Sequence, residues 1–440
     1  MSNPEIAGVS LAVLLAMIFI RIPIGLAMLV CGFFGTWIVT GSPVAIMAQL
    51  KSLTYDTFSS YSLSIVPLFL LMGQFATRGG MSDALFQAAE SWLGHRKGGV
   101  AMAAVGACAG FGAICGSSLA TAATMGQVAL PELRRFGYSG ALATGCLAAG
   151  GTLGILIPPS VVLVIYAILT EQNIARLFVA AFIPGFLAAM GYLVTIAIFV
   201  RLRPESAGLR DPSPRSERIR ALLDVWPVML VFLLVIGGIY RGWFTPTEGA
   251  AVGAAGTGAI ALLRGGLGRK ALAECLLATA TTTGMIFFIV FGAAVFNGFL
   301  AFSQLPQQAA DWVTARGYGP MTVLAAILFC YLLFGCFMDS LSMILLTIPT
   351  FYPIVSALDY GLPADDFAIW FGILVLIVVE VGLITPPVGL NLFVINAMAD
   401  DVPMSHTFRG AIPFVVSDIL RVIVLMAFPG ITLSLVWLMY

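Results

Sequence analysis

The chain has 440 residues, of which 60% are hydrophobic and 10% are charged, and its formal net charge is zero. Soluble domains average about 25% charged residues, so a soluble protein of this composition would have too little polar surface to cover itself. The composition predicts an all-α integral membrane protein with on the order of ten to twelve crossings, and the neutral charge gives no indication of a nucleic-acid partner.

Apolar runs separated by charged residues, glycine or proline give the order of the predicted elements. Several runs are too long for one simple crossing, and a linker rich in Arg, Pro and Ser covers 201–224. Because this linker holds six arginines, and short cytoplasmic loops carry the excess of Lys and Arg, we place it in the cytoplasm. The predicted spans or span-like segments are 5–20, 23–40, 60–77, 98–129, 138–171, 175–200, 225–240, 246–263, 275–301, 319–357, 366–398 and 410–438.

The two halves on either side of the linker, 1–200 and 225–440, share short motifs in the same order. This preserved order indicates a duplicated unit. The matching pairs are Ser118-Leu119 with Ser340-Leu341, Pro131 with Pro353, Pro158-Pro159 with Pro386-Pro387, and Ala181-Phe182-Ile183-Pro184 with Gly410-Ala411-Ile412-Pro413.

The charges that flank two of the long segments indicate opposite orientations. Basic pairs flank 98–129 on both sides, so both of its ends are predicted to be cytoplasmic and its tip to lie within the membrane. Acidic residues follow 319–357, so both of its ends are predicted to be external. We therefore predict two re-entrant hairpins of opposite orientation in an inverted-topology repeat, an architecture common in secondary transporters.

Four interruptions of the apolar pattern are predicted to carry the chemistry: the two hairpin tips and the Pro-Pro breaks in 138–171 and 366–398. Irregular backbone at membrane depth is tolerated only in protein or beside a wet cavity. Serines at the tips can cap a half-helix and offer oxygens, and carbonyls left free before a Pro-Pro pair suit a hard cation such as sodium. The alternatives are a packing face of small residues at the tips and simple proline kinks at the breaks.

Asp339, at the second tip, is the most informative single residue, because carboxylates at membrane depth are usually functional. It could instead serve only as a helix N-cap. Glu380 is another buried acid and could bind an ion or only brace the second break. Asp418 and Arg421 are three residues apart and can pair on one helix face, which favours a structural role.

An enzyme is not indicated. The only histidines, His95 and His406, lie in predicted loops, so Ser117 or another nucleophile has no base beside it. No Gly-Lys dipeptide occurs, which excludes a Walker A loop. The seven cysteines lack metal-type spacing and are expected to pack in apolar segments. We predict no catalytic residue and no cofactor.

Several of these stretches resemble the large membrane subunit of the tripartite ATP-independent periplasmic (TRAP) transporters, in the ion transporter superfamily. The resemblance covers nearly the whole chain, including the IRIPIGLAM and SIVPLFLLMGQF segments. The longest similar stretches are GSSLATAATMGQVALPELRRFGYSGALATG (116–145), GGTLGILIPPS (150–160), YAILTEQNIARLFVAAFIPG (166–185) and GLITPPVGLNLFVINAMA (382–399).

The resemblance implies an elevator-type transporter in the bacterial inner membrane that takes up a small organic anion with sodium as coupling ion. Family substrates are mostly carboxylates, such as C4-dicarboxylates, sugar acids and 2-oxo acids. It also implies a periplasmic substrate-binding protein and a small membrane subunit, expected here as a separate chain because the last predicted span ends the sequence. A stand-alone sodium- or proton-coupled anion carrier is the alternative.

The same resemblance implies that tips and breaks together bind the ion and the substrate. Sodium is expected at Ser118, Gly154, Asp339, Gly382 and Thr385. The full set of implied binding residues is Gly116, Ser117, Ser118, Gly151, Thr152, Gly154, Pro158, Pro159, Asp339, Ser340, Gly382, Thr385, Pro386, Pro387 and Asn391.

Overall fold

A computed structural model describes residues 2–440, and over this range the chain folds into 21 α-helices and two short 3-10 helices, with no strand. The 3-10 helices are Ser62–Ser64 and Pro204–Ser206. The α-helices are α1 Asn3–Phe19, α2 Ile24–Thr40, α3 Pro43–Phe58, α4 Ile65–Arg78, α5 Met81–Leu93, α6 Gly99–Cys115, α7 Ser118–Arg135, α8 Gly140–Leu156, α9 Val161–Leu169, α10 Ile174–Leu202, α11 Arg215–Asp224, α12 Trp226–Tyr240, α13 Pro246–Leu263, α14 Arg269–Ser303, α15 Leu305–Ala315, α16 Pro320–Gly335, α17 Ser340–Ser356, α18 Ala364–Gly382, α19 Leu390–Asn396, α20 Met404–Ala427 and α21 Pro429–Met439.

The predicted all-α class is confirmed, and helix length separates full crossings from interrupted ones. Among residues 2–440, four helical stretches are long and apolar enough to cross a membrane: α10, α11 with α12, α14 and α20. Two further pairs, α3–α4 and α8–α9, are bent by 50° and 46° at short breaks. The number of long apolar helices is below the ten to twelve crossings predicted from composition, because six other apolar helices have only 10–17 residues. Three of these, α6, α16 and α17, adjoin a hairpin tip.

The first hairpin consists of α6 and α7, joined by Gly116 and Ser117. Gly116 ends α6 in the left-handed region at φ +64°, which glycine adopts without a steric penalty. The Ser117 hydroxyl then accepts a hydrogen bond from the Ala120 amide at 3.4 Å and caps α7. A two-residue tip therefore reverses the chain inside the predicted segment 98–129.

The second hairpin consists of α16 and α17, joined by the residues from Cys336 to Asp339. Asp339 caps α17 by accepting from the Ser342 amide at 3.1 Å. In this half a Cβ on Gly382 of α18 would lie 2.6 Å from Cα of Gly335, so α16 and α18 touch backbone to backbone. The first half has the same contact between Gly112 of α6 and Gly154 of α8, where a Cβ on Gly112 would lie 2.5 Å from Cα of Gly154.

The structure also contains helices that the apolar pattern did not predict. Helices α3, α5 and α15 carry too many polar residues to form an apolar run. The predicted linker 201–224 is partly helical, because α10 continues to Leu202 and α11 occupies Arg215–Asp224. The segment between these two helices turns back to the connection between α7 and α8, where the Ser139 amide donates to the carbonyl oxygen of Ser206 at 2.9 Å.

Candidate functional site

The two hairpin tips meet at a cavity of about 350 Å³. Among the described residues that line it, Asp339 carries the only charged side chain. The first tip contributes Gly116, Ser117, Ser118 and Leu119, and the second contributes Asp339, Ser340 and Leu341. The remaining walls are Leu70, Ile155, Val161, Val162, Thr282, Met285 and Ile286.

Three helix N-termini converge on this cavity. Helices α7, α17 and α9 begin at Ser118, Ser340 and Val161, and all three residues line the wall. The first amides of a helix lack intrahelical acceptors, and the helix dipole places partial positive charge there. Such ends bind anions, so the cavity can attract a carboxylate without an arginine.

Oxygen atoms without donors lie behind the first tip. Pro158 and Pro159 have no amide hydrogen, so the carbonyls of Gly154 and Ile155 lose the donors that a continuing helix would supply. Within residues 2–440 no other backbone amide donates to them. The Thr121 hydroxyl is buried without a hydrogen-bond partner. It lies against Gly154, because a Cβ built on that glycine would be 2.5 Å from the Thr121 hydroxyl oxygen. Such oxygens suit a hard cation.

The second break is closed by hydrogen bonds of its own. The Gly382 carbonyl accepts from the Thr385 amide, and the Leu383 carbonyl accepts from the Asn391 amide, each at 3.1 Å. The Thr385 hydroxyl donates to the Val381 carbonyl at 2.6 Å. Both prolines of this break are exposed, whereas Pro158 and Pro159 are buried.

The structure therefore brings together five of the predicted binding residues at the cavity: Gly116, Ser117, Ser118, Asp339 and Ser340. The remaining ten do not line it. Gly151, Thr152, Gly154, Pro158 and Pro159 are buried in or beside the first broken helix. Gly382, Thr385, Pro386, Pro387 and Asn391 belong to the second break.

Asn391 joins the two broken helices. Its side-chain amide donates to the Ala148 carbonyl in α8 at 3.2 Å, while its carbonyl oxygen is buried without a partner. A polar side chain from the second half is therefore held against the first half, close to the predicted break.

Glu380 lies between the two tips, which sequence reasoning did not anticipate. Its carboxylate is 1% exposed and accepts hydrogen bonds from Ser118 and, at 2.6 Å, from Ser340. The prediction treated it as a buried acid beside the second break only. A signal was present, because the alignment that pairs Pro158 with Pro386 pairs Thr152 with Glu380.

A second polar group extends from the first broken helix to α20. Thr152 lies 2.9 Å from the hydroxyl of Tyr192, which donates to Asp418 at 2.7 Å. Asp418 in turn pairs with Arg421 at 2.8 Å, and both side chains are buried. The predicted ion pair on one helix face is present, and Tyr192 connects it to Thr152.

A larger cavity of about 580 Å³ lies at the end of the first hairpin, away from the tips. It is lined by α5, the end of α7 and the linker, and contains residues of the first half and the linker alone. Glu90 and Arg210 form an ion pair there at 2.9 Å. Burial raises the pKa of Glu90, and the positive charge of Arg210 opposes this shift.

Comparisons with known proteins agree with the helical architecture. The family model described as "Tripartite ATP-independent periplasmic transporter, DctM component" matches residues 11–431. The chain is similar to the C4-dicarboxylate TRAP transporter large permease protein DctM of Pseudomonas aeruginosa, at 39% identity over 87% of both chains. It is also 30% identical to the sialic acid TRAP transporter large permease protein SiaM of Vibrio cholerae, over 96% of each.

Among solved structures, the crystal structure of the Alcanivorax borkumensis YdaH transporter superposes with a TM-score of 0.62. The match covers 87% of this chain and 89% of that one at 14% identity, so it supports the fold alone. The family match and the two large permeases extend over most of the sequence. The chain therefore belongs to the DctM family of TRAP transporter large permeases and is a membrane transporter, not an enzyme.

Proposed function

We propose that the chain carries out sodium-coupled secondary uptake of a small organic anion across the bacterial inner membrane. The observation that carries the proposal is the cavity at the tips, where three helix N-termini lie beside one carboxylate. The N-termini favour an anion, and the Asp339 carboxylate favours a cation in the same space. An anion and a cation would neutralise each other there and could move together.

A carboxylate is the substrate class that the site fits best. The helix ends can satisfy a carboxylate through backbone amides and hydroxyls, and the names of the two relatives refer to C4-dicarboxylates and sialic acid, which are acids. C4-dicarboxylates, sugar acids and 2-oxo acids are therefore the substrates to test first.

Sodium is the proposed coupling ion because the oxygens at the tips and first break are hard ligands. Carboxylate, hydroxyl and carbonyl oxygens suit hard cations, and Asp339, Ser118 and the Gly154 carbonyl supply one of each. In the second break, Gly382 and Thr385 are proposed to contribute after a small rearrangement, because their polar atoms are already bonded within the turn.

Two partner chains complete the proposal, as membership of a tripartite family suggests. A periplasmic binding protein would deliver the solute, and a small membrane subunit would support this chain in the bilayer. A stand-alone carrier, driven by sodium or protons, is the second candidate.

Reconstitution into proteoliposomes tests both candidates. This chain would be inserted alone and together with the proposed small membrane subunit, and uptake of labelled C4-dicarboxylates, sugar acids and 2-oxo acids would be followed with and without the proposed binding protein. We expect uptake to require the binding protein and an inward sodium gradient, and a proton gradient alone to be ineffective. Uptake by this chain alone would establish the stand-alone carrier instead.

A further inference from the structure

Glu380 forms the direct polar contact between the two hairpin tips. It lies in the last turn of α18, and its two carboxylate oxygens accept from different hairpins: one from Ser118 and the other from Ser340 at 2.6 Å. These two serines are the first residues of α7 and α17, and they occupy equivalent positions in the repeated motif Ser-Leu. One side chain therefore contacts the same position in both halves.

The electrostatic setting of Glu380 matches this arrangement. A carboxylate near the C-terminus of its own helix is unfavourable, because that end carries partial negative charge. The N-terminal ends of α7 and α17 carry partial positive charge and meet the same carboxylate, so they offset the unfavourable position. Removing either hairpin contact would leave a buried carboxylate oxygen without a partner, which is costly inside a protein.

The hydrogen bonds also determine which way the two serines present their lone pairs. A hydroxyl has one hydrogen to donate and two lone pairs. Since Ser118 and Ser340 both donate to Glu380 and both line the cavity, their oxygens are free to accept from, or to ligate, a group in the cavity. A partner behind a ligand commonly sets that ligand's orientation in this way.

We propose that Glu380 is a positioning residue shared by both tips, which holds Ser118 and Ser340 with their oxygens toward the cavity and so makes the two halves of the site depend on each other. The proposal rests on the proposed function where it concerns sodium. Its structural part, the coupling of the two tips, is independent of which ion or solute is carried.

Glu380→Gln tests the positioning role because it keeps the size of the side chain. The amide has one acceptor oxygen and one donor nitrogen, so it can accept from one serine only, and the other hydroxyl must turn. We expect the sodium concentration for half-maximal uptake to rise at least about tenfold, the effect of one lost hydrogen bond to a charged group. We also expect the maximal rate at saturating sodium to change by less than about twofold. A lower maximal rate with unchanged sodium dependence would mean that Glu380 only supports the fold.

Double-mutant cycles test whether the serines act through Glu380. Ser118→Ala and Ser340→Ala should each raise the sodium concentration for half-maximal uptake. Each effect should be smaller in the Glu380→Gln background, because the effects of substitutions at residues that share a hydrogen-bond partner are not additive. Thr347→Val is the matched control in α17. That hydroxyl is buried but donates to the Met343 carbonyl of its own helix at 2.7 Å, so its loss should leave the sodium dependence within about twofold.

Hydrogen exchange on the full-length chain in lipid nanodiscs tests the coupling without any transport. We expect Ser118→Ala to speed exchange both at its own tip, over 116–121, and at the distant tip, over 339–344. The reciprocal variant Ser340→Ala should do the same in reverse, and Thr347→Val should not affect 116–121. Because the serine variants are small changes, this test remains available if Glu380→Gln does not fold.

The outcomes separate the two proposals. If wild-type uptake does not depend on sodium, the proposed function fails while the exchange data still decide the coupling. If each serine variant affects its own tip alone, and its effect adds to that of Glu380→Gln, the coupling proposal is wrong.

Discussion

The two hairpin tips occupy equivalent positions in the repeat, but they bring different chemistry to the cavity between them. The first tip caps its outgoing helix with neutral Ser117, whereas the second uses Asp339 at the same position. The breaks differ as well, because the Gly154 and Ile155 carbonyls lack amide donors, and the corresponding turn at Gly382 satisfies its own. The two halves therefore share the arrangement of their tips but differ in the polar groups that they present.

This difference indicates a division of labour within the site. The first half offers neutral oxygens from carbonyls and hydroxyls, and the second half offers one formal negative charge. Substitutions at equivalent positions of the two halves should consequently have unequal effects.

The largest expected effect comes from the two N-caps. Asp339→Ala should lower sodium-coupled uptake at least about 100-fold, since it removes a charged contact as well as a cap. Ser117→Ala should lower stability by about 1 kcal/mol through the lost cap and leave sodium dependence nearly unchanged. Uptake of a labelled anion at varied sodium concentration measures the sodium dependence of both variants, and thermal unfolding in detergent measures the loss of stability. Asp339→Asn keeps the cap without the charge, so normal sodium dependence in that variant or in Asp339→Ala would remove Asp339 from the ion site.

The paired glycines give the next effect. A Cβ at Gly382 would meet backbone atoms of Gly335 alone, the closest two at 2.6 Å, whereas a Cβ at Gly154 would lie 2.5 Å from the Thr121 hydroxyl oxygen and 2.8 Å from the single backbone oxygen of Ser117. Backbone atoms cannot rotate away, so Gly382→Ala should destabilise the protein more than Gly154→Ala, within the range of about 1–3 kcal/mol for overpacking.

Thermal unfolding in detergent, followed by tryptophan fluorescence, measures this order. Gly106→Ala in α6 is the control, because a Cβ there has no neighbour within 4 Å. If both test variants melted like Gly106→Ala, the close backbone contacts at the tips would not be present.

Thr385 should give a smaller effect on the ion. Its hydroxyl already donates to the Val381 carbonyl, so only its lone pairs remain for a cation. Thr385→Val should raise the half-maximal sodium concentration by about threefold, as for one modest neutral hydrogen bond. The equivalent residue of the first half, Ile157, has no hydroxyl, and Ile157→Val should leave the sodium dependence unchanged. Equal effects of the two substitutions would point to packing instead of ion binding.

The smallest effect concerns the far end of the first hairpin, where Glu90 pairs with Arg210. A raised pKa means that the folded chain favours protonated Glu90, so its contribution to stability is present at low pH and is lost as pH rises through the raised pKa. Glu90→Gln should flatten this pH dependence, and the free energy of unfolding should change by no more than about 1 kcal/mol. The melting temperature as a function of pH measures the effect. Arg210→Gln should steepen the pH dependence, because Arg210 lowers the same pKa. A steeper profile in Glu90→Gln would contradict the assignment.

Local chemistry explains what the sequence could predict. Glycine and serine at Gly116-Ser117 and the pair Pro158-Pro159 dictate a turn and a helix break whatever surrounds them. The acid at Asp339 stood out because charge is rare in apolar segments. These features depend on neighbouring residues only, and each is found where the pattern indicated.

Long-range geometry explains what the sequence could not predict. Ser118 and Glu380 are 262 residues apart in the chain, and no local pattern indicates that they touch. The same holds for Thr152 and Tyr192, which meet only when α8 packs against α10. Helices α3 and α5 were missed for a different reason, because amphipathic segments lack the continuous apolar run that predicts a crossing.

The lone charge of the cavity has a consequence for the order of events. An anion that arrives without a cation meets the Asp339 carboxylate, whose full negative charge opposes the partial positive charges of the three helix N-termini. Repulsion would be strong in such a low-dielectric space. A cation bound first removes this barrier, so we expect the ion to load before the solute. The same barrier would keep the carrier from leaking its substrate when sodium is scarce.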